Sequence, residues 1–200
     1  MSEALGHADV IVLSDYQKGF LQPKFIRIVL DKAANADVPV LVDPKGQDFT
    51  KYGGASVICP NLDELSLAVS RPLAQDDRDV ESAALSLVKS HNFEAVCVKR
   101  SEAGAQLIRT GGTTARHPSR ASQVVDVAGA GDTLVATLGM AVASGAALEL
   151  AAFIGNAAAG VAVGKANVAH VRLNELTASL SQPQLKRKAY STYTSLGELV

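Results

Sequence analysis

Short apolar runs alternate along this chain with longer segments in which apolar residues return every three or four positions. The short runs are apolar almost throughout, which is typical of strands buried on both faces. The longer segments predict amphipathic helices, and Pro23 suits the first turn of the first one. The pattern predicts strands at residues 10–13, 38–42, 57–59, 95–98 and 105–108, and the end of a strand at 123–127. It predicts helices from Pro23 to about residue 33, over 61–69, around 80–88, and over 132–144 and 148–164.

This alternation predicts one α/β domain. Strands that are apolar throughout, with helices between them, imply a mainly parallel sheet covered by helices on both faces. Residues 100–104 form a hairpin-sized connection between two of the strands, and Gly145 suits the end of a helix. We expect the domain to span residues 1–180 and a loosely packed polar tail to follow at 181–200.

Composition narrows the class of function. The chain has 200 residues, of which 48% are apolar, and a net charge of −1, as in an ordinary globular protein. There is no basic excess to suggest nucleic acid, and no apolar run reaches the ~18 residues that would span a membrane. Cys59 and Cys97 each lie in an apolar run, so we expect buried thiols in a reducing, cytoplasmic compartment. The histidines show no metal-ligand spacing.

The most informative polar segment is a small-residue turn. Gly129, Ala130 and Gly131 have little or no side chain, so their N–H groups can come close to a ligand. The helix that begins here adds a partial positive charge, which suits the turn to holding phosphate oxygens. Asp132 would repel phosphate, but it suits a base that takes a proton from a hydroxyl about to attack phosphorus. From the residues alone, Asp132 is equally consistent with a helix cap.

Residues 125–133 (VDVAGAGDT) contain a D-x-x-G-A-G-D pattern that resembles the signature of the ribokinase-like, PfkB-type carbohydrate kinases. Further segments follow in the order found in that family, and the resemblance covers roughly residues 8 to 175. Among its members, the chain looks most like the kinases of D-glycero-D-manno-heptose 7-phosphate, which supply lipopolysaccharide precursors. The other matching segments are 14–19 (SDYQKG), 42–46 (VDPKG), 60–65 (PNLDEL), 99–104 (KRSEAG) and 156–160 (NAAAG).

The resemblance implies a ribokinase-like three-layer α/β/α sandwich that uses ATP and Mg²⁺ to phosphorylate a sugar phosphate. It implies that Asp132 is the base and that N–H groups of Gly129, Ala130 and Gly131 hold the transferring oxygens. Glu64 would help to place the metal ion and its waters. The resemblance assigns Lys99, Ser101, Glu102, Gly104, Asn61 and Asn156 to nucleotide binding, and Asp15, Lys18, Lys45 and Asp126 to the sugar phosphate.

Several of these residues also have simpler explanations. Asn61 and Glu64 have the spacing of a capping box, which needs no further role. Lys45 follows a strand end, where it is as consistent with a solvated lysine as with a phosphate ligand. Asp15 and Lys18 are common types of turn residue, and Asn156 is consistent with a polar residue buried between helices. These alternatives stay open at this stage.

The chain also departs from the family pattern. Lys99 stands where many relatives have Thr, and Ala128 stands where close relatives usually carry a hydroxyl residue. The family's N-terminal sugar-binding segment and β-lid have no counterpart here, so we expect the chain to be truncated at its N-terminus. It would act with a missing N-terminal half or as a homo-oligomer. The alternative function is a non-catalytic nucleotide-binding remnant or partner subunit of a sugar kinase. A dinucleotide-dependent oxidoreductase is disfavoured because the turn has no third glycine.

Overall fold

The computed structural model describes residues 7–74, 76–111, 114–119, 124–167 and 170–181. Within these ranges six strands form one sheet, and α-helices cover both of its faces. The strands are β1 (Ile11–Ser14), β2 (Val40–Asp43), β3 (Val57–Ile58), β4 (Ala95–Lys99), β5 (Ala105–Arg109) and β6 (Thr114–His117). The helices are α1 (Pro23–Asn35), α2 (Leu62–Ala68), α3 (Asp77–His91), α4 (Ala130–Ala143), α5 (Leu148–Val163) and α6 (Leu173–Leu180).

The strands lie in the sheet in the order in which they occur along the chain. β1, β2, β3 and β4 pair in parallel, as predicted from their apolar character. β4, β5 and β6 pair in the antiparallel sense, so residues 100–104 form the predicted hairpin connection. Among the described strands β1 is therefore one edge of the sheet, and the carboxyl ends of β1 to β4 point to the same side.

The two faces of the sheet carry separate hydrophobic cores. Val42 and Ile58 pack with α1 and α3 on one face, whereas their neighbours Leu41 and Val57 pack with α4 and α5 on the other. Side chains alternate between the faces because successive residues of a strand point in opposite directions. The predicted three-layer α/β/α arrangement is confirmed, and both cysteines are buried free thiols.

Local signals set the helix ends near the strand termini. α2 begins with a capping box in which Asn61 and Glu64 exchange hydrogen bonds between side chain and backbone. The N-cap residue of α4 is Gly129, whose φ of +74° is a left-handed conformation that glycine adopts without strain. Gly145 follows the end of α4 with a φ of +82°, which agrees with its predicted role as a stop.

The strand end predicted at residues 123–127 is wrong for the part that the structure describes. Residues 124–127 are irregular, and the N–H groups of Val125 and Asp126 donate to the Val163 carbonyl, at 2.9 and 3.2 Å. An open helix end, rather than a neighbouring strand, satisfies these donors.

Sequence analysis did not predict two short elements, β6 and α6. β6 has four residues that include Arg116 and His117, and α6 has only eight residues, so neither gives a strong periodic signal. The polar tail predicted at 181–200 lies outside the described residues from 182 onward. In the described ranges, no helix combines the length and the apolar character needed to cross a membrane.

Candidate active site

The carboxyl ends of the parallel strands meet at one side of the sheet, and the glycine turn lies beside them. Ser14 at the end of β1 is in register with Asp43 at the end of β2. Lys99 ends β4, and a Cβ atom placed on Gly131 would lie 3.5 Å from Lys99 Nζ. Ligands of open α/β sheets bind outside this side of the sheet. We refer to Asp43, Lys99, Gly131 and Asp132 as the strand-end cluster.

The glycine turn brings backbone donors to the start of α4. Gly129 occupies the N-cap position, whereas Gly131 already lies in the helix. The Ala130 N–H donates to the Val127 carbonyl at 3.3 Å, so this predicted phosphate donor is used inside the turn. Within the described residues, no hydrogen bond occupies the N–H groups of Gly129 and Gly131. Two of the three predicted donors are therefore available at a helix N-terminus, where anions are favoured.

Asp126 ties the turn to a distant part of the chain. Its Oδ1 accepts the Ala128 N–H at 2.9 Å, and its Oδ2 accepts the Asn167 N–H at 3.1 Å. Both oxygens hold backbone groups, which gives Asp126 a role in shaping the loop. Its contact with a sugar phosphate stays a prediction.

Asp132 lies in the first turn of α4 with its side chain exposed to solvent. It is not the N-cap residue, because Gly129 occupies that position without a side-chain cap. Instead, Tyr16 Oη donates a hydrogen bond to Asp132 Oδ1 at 3.0 Å. The structure thus removes the simple-cap explanation and leaves an accessible carboxylate next to the turn.

Asp43 and Lys99 form a largely enclosed ion pair. Lys99 Nζ donates to Asp43 Oδ1 at 2.5 Å, and each side chain is only 15% exposed. Burial raises the pKa of Asp43, Lys99 offsets part of this rise, and the charges of Glu64 and Asp132 add to it. Burial lowers the pKa of Lys99, but its interactions with Asp43 outweigh burial and raise the pKa overall. Asp43 therefore has one ammonium group, Lys99, as its partner, and its charge is opposed by two further carboxylates, Asp132 of the cluster and Glu64.

Glu64 is held by the capping box and by Lys45. Its Oε2 accepts the Asn61 N–H at 2.9 Å, its N–H donates to Asn61 Oδ1 at 2.7 Å, and its Oε1 accepts from Lys45 Nζ at 3.0 Å. The capping explanation for Asn61 and Glu64 is confirmed, and it places a buried carboxylate within electrostatic reach of Asp43. The described part of the chain holds no cluster of three His, Cys, Asp or Glu side chains arranged to bind a metal ion.

Asp15 is enclosed by hydrogen-bond donors in the loop after β1. Its carboxylate accepts from the Gln17 N–H at 2.7 Å, from Lys51 Nζ at 2.7 Å and from Tyr52 Oη at 2.6 Å. Burial alone would raise its pKa, but these donors outweigh burial and lower it. Lys18 lies exposed in the same loop. Asp15 therefore holds the loop after β1 against Lys51 and Tyr52. The sugar contacts predicted for Asp15 and Lys18 stay predictions.

The β4–β5 connection is shaped by a glycine rather than by its polar side chains. Ser101 and Glu102 are exposed, and Gly104 has a φ of +85°. A Cβ atom on Gly104 would lie 2.0 Å from the His117 carbonyl oxygen and 2.5 Å from the Ser119 nitrogen. Only glycine fits there, because both the φ value and the close backbone exclude a side chain.

Asn156 lies in α5 on the other side of this connection. Its side chain is buried and Nδ2 donates to the Pro118 carbonyl at 2.9 Å. This contact agrees with a buried polar residue next to β6. The structure does not bring Asn156 into the strand-end cluster, and its contact with adenine stays a prediction.

Sequence analysis missed Asp43 and Tyr16 as site residues. A signal for Asp43 existed, since it ends a buried strand whose carboxyl end faces the ligand side. No comparable signal marked Tyr16, because its contact with Asp132 joins residues 116 positions apart.

The glycine turn and the accessible carboxylate of Asp132 lie together beside the strand ends of the α/β/α sandwich. The chain belongs to the pfkB family of carbohydrate kinases, whose family model matches residues 2–174. Its fold is similar to that of Arabidopsis thaliana ribokinase complexed with ribose and ATP. That likeness has a TM-score of 0.80 and 23% identity, and covers 90% of this chain and 58% of the other. Phosphofructokinase-2 from Escherichia coli in complex with potassium gives a TM-score of 0.77 at 22% identity, over 90% of this chain and 61% of the other.

Curated relatives are more similar in sequence. The bifunctional protein HldE of Aeromonas hydrophila is 41% identical over 184 residues, which cover 92% of this chain and 38% of that protein. The HldE protein of Paramagnetospirillum magneticum is 45% identical over 181 residues, which cover 90% of this chain and 37% of that protein. The chain therefore spans little more than a third of these relatives.

Proposed function

We propose that this chain is the nucleotide-binding and catalytic part of an ATP-dependent sugar kinase. The observation that carries the proposal is the position of Asp132. Its exposed carboxylate stands in the first turn of α4, directly after a glycine turn with available N–H donors. A base and an anion-binding turn at the same helix end are the parts that phosphoryl transfer requires.

In this proposal Asp132 accepts the proton of the acceptor hydroxyl as its oxygen attacks the γ-phosphorus of ATP. The bond from that phosphorus to the bridging oxygen breaks, and ADP leaves with the electron pair. The N–H groups of Gly129 and Gly131 stabilise the charge on the transferring oxygens. Most of the rate enhancement comes from positioning and electrostatics, because the protein forms no covalent bond.

The charges of the strand-end cluster and of the neighbouring Glu64 and Lys45 suit MgATP. When bound, Mg²⁺ would neutralise phosphate charge, and it would keep several waters because the described residues offer no cluster of direct ligands. Glu64 and Asp43 are the carboxylates that would orient those waters. Lys99 and Lys45 are the cations that would reach phosphate oxygens, as point charges rather than as planar forks.

We propose heptose 7-phosphate as the acceptor and heptose 1,7-bisphosphate as the product, in the cytoplasm. The support is the sequence resemblance to heptose 7-phosphate kinases and the identity of 41–45% with the HldE proteins. Comparing heptose 7-phosphate with a fructose phosphate as acceptor tests this choice. Equal turnover with the fructose phosphate would refute it.

We further propose that an N-terminal half completes the substrate side by pairing with β1. In the part of the chain that the structure describes, β1 is an edge of the sheet, and an unpaired edge presents open hydrogen-bonding groups. Apolar side chains of β1, of the loop that follows it and of α4 are exposed, with Val12 at 40%, Phe20 at 78% and Met140 at 71%. Exposed apolar groups around an open edge favour a covering partner. We expect weak MgATP binding and poor transfer by this chain alone, and restored transfer when the N-terminal half of a relative is added.

The decisive experiment is Asp132→Asn in that completed kinase. We expect kcat to fall about 10²–10⁴-fold with little change in ATP affinity, because the amide keeps the shape but does not accept the proton. Asp31→Asn on the exposed face of α1 is the matched control and should leave turnover unchanged. Wild-type turnover in Asp132→Asn would refute the proposed base.

A further inference from the structure

Tyr16 makes the single described side-chain hydrogen bond to Asp132, yet its ring is largely open to solvent. Its Oη lies 3.0 Å from Asp132 Oδ1, and the residue is 62% exposed. An aromatic side chain in a solvated loop gains little from burial, so packing does not account for its placement. The contacts that place its hydroxyl are hydrogen bonds, one to Asp132 and one from Ser14.

The loop that carries Tyr16 is held firmly on both sides. The Asp15 N–H donates to the Asp43 carbonyl at 3.0 Å, which extends the pairing of β1 with β2 by one residue. The Asp15 carboxylate is held by Gln17, Lys51 and Tyr52. Gln17 is held in turn, because its side chain donates to the Lys45 carbonyl. Tyr16 therefore lies between two anchored residues, Asp15 and Gln17, and its hydroxyl reaches Asp132 from a defined backbone position.

Asp132 needs such a partner because its helix offers a competing one. A carboxylate in the first turn is attracted to the N-terminal N–H groups of its own helix. If Asp132 turned back towards Gly129 and Gly131, it would occupy the donors proposed to hold phosphate oxygens. In the structure Oδ1 accepts from the Tyr16 hydroxyl instead, and no described donor takes Asp132 Oδ2.

We infer that Tyr16 is a positioning residue for Asp132, which fixes Oδ1 and leaves Oδ2 to accept the proton of the acceptor hydroxyl. This inference rests on the proposed function, since it assigns Asp132 as the base. It assigns Tyr16 no chemical step of its own. The tyrosine joins the loop after β1 to the start of α4, and the two residues are 116 positions apart along the chain.

The contact itself is tested in this chain without any activity. The hydrogen bond and charge of Asp132 raise the pKa of Tyr16, and a side-chain hydrogen bond from Ser14 opposes the rise. In an NMR titration of ring-labelled tyrosine, Asp132→Asn should therefore shift Tyr16 ionisation to lower pH, towards the ordinary value of about 10. Asp31→Asn, a carboxylate change on the exposed face of α1, is the control and should leave Tyr16 unchanged. An unchanged Tyr16 titration in Asp132→Asn would overturn the contact.

The positioning role is tested by Tyr16→Phe in the completed kinase. We expect kcat to fall about 10–50-fold while KM for ATP and the midpoint of thermal unfolding stay near wild type, since the phenyl ring retains the shape. Tyr16→Phe combined with Asp132→Asn should be no slower than Asp132→Asn alone, because the tyrosine acts only through the base. An additional loss in the double variant, or a raised KM for the sugar with kcat unchanged, would overturn the inference and indicate a direct substrate contact.

The outcomes separate this inference from the proposed function. A completed kinase that transfers no phosphate, or that keeps its turnover in Asp132→Asn, contradicts the proposed function. A kinase that depends on Asp132 but keeps wild-type kcat in Tyr16→Phe contradicts only the role of Tyr16.

Discussion

Asp15 follows β1 and Asp43 ends the neighbouring parallel strand β2, yet the surroundings of the two carboxylates shift their pKa values in opposite directions. The two residues are joined by a backbone hydrogen bond of 3.0 Å, and both carboxylates are largely buried. The pKa of Asp15 is lowered, whereas that of Asp43 is raised. Burial raises the pKa in both cases, so the difference comes from the groups around each carboxylate.

Asp15 is surrounded by donors, whereas Asp43 is surrounded by charges of both signs. A lysine, a phenol and an N–H group stabilise the ionised form of Asp15. Asp43 has Lys99, but Glu64 and Asp132 repel its charge. Asp15 is thus a closed structural anchor, and Asp43 belongs to a cluster whose charges are incompletely balanced, which is typical of sites that bind charged ligands.

The same contrast between closed and open surroundings separates two glycines. Gly104 is enclosed by the backbone of residues 117–119, with contacts as short as 2.0 Å for an added Cβ atom. At Gly131 the nearest atoms belong to the flexible end of Lys99, at 3.5 Å. Backbone does not yield to a new side chain, whereas the end of a lysine does.

The largest effect is therefore expected for Gly104→Ala. The left-handed φ and the overlap with the His117 carbonyl should together lower the free energy of unfolding by about 4 kcal/mol. Urea unfolding measures this value. The matched control is Gly131→Ala, which should change it by less than about 1 kcal/mol. An equal loss of unfolding free energy in the two variants would contradict the description of Gly104 as enclosed and Gly131 as open.

The second effect concerns the two carboxylates directly. Asp15→Asn should lower the free energy of unfolding by about 3 kcal/mol at pH 7, because it leaves Lys51 without its buried partner. Asp43→Asn should cost less, about 1 kcal/mol, because relief from Glu64 and Asp132 offsets part of the lost ion pair. A larger loss for Asp43→Asn would reverse the comparison.

Acid should erase the difference between wild type and Asp15→Asn. The lowered pKa of Asp15 means that its stabilisation is complete above the ordinary value of about 4 and is lost as pH falls through the folded-state value. Urea unfolding at pH 7 and below pH 4 should therefore show the gap narrowing in acid. A gap that stays constant would indicate that the Asp15 charge contributes nothing.

The layers of the fold and the glycine turn were predictable because their signals are local. The apolar runs that became β2 and β4, and the capping box at the start of α2, each lie within a few residues. The strand end expected at 123–127 was wrong because an apolar run does not determine which group accepts the hydrogen bonds of its backbone. Here the partner is the carbonyl of Val163 at the end of a helix.

The contacts that define the candidate site were not predictable in this way. Tyr16 meets Asp132, and Asp15 meets Tyr52 and Lys51, only after the sheet has brought distant loops together. The left-handed glycine also could not be assigned within the turn by composition alone. The structure places it at Gly129 rather than at Gly131.

The smallest effect is expected for Glu64→Gln, which changes one charge near Asp43 and leaves the capping geometry in place. Glutamine keeps an oxygen to accept the Asn61 N–H, so the free energy of unfolding should change by less than about 1 kcal/mol. The loss of negative charge should lower the pKa of Asp43, whereas Asp15 should not respond because Lys51, Tyr52 and Gln17 dominate its surroundings. Carboxyl ¹³C NMR titration resolves the two residues.

Asp63→Asn, the exposed neighbour on α2, is the matched control and should change the pKa of neither Asp15 nor Asp43. If Glu64→Gln moved Asp15 as much as Asp43, the two carboxylates would belong to one coupled system rather than to a closed anchor and an open cluster.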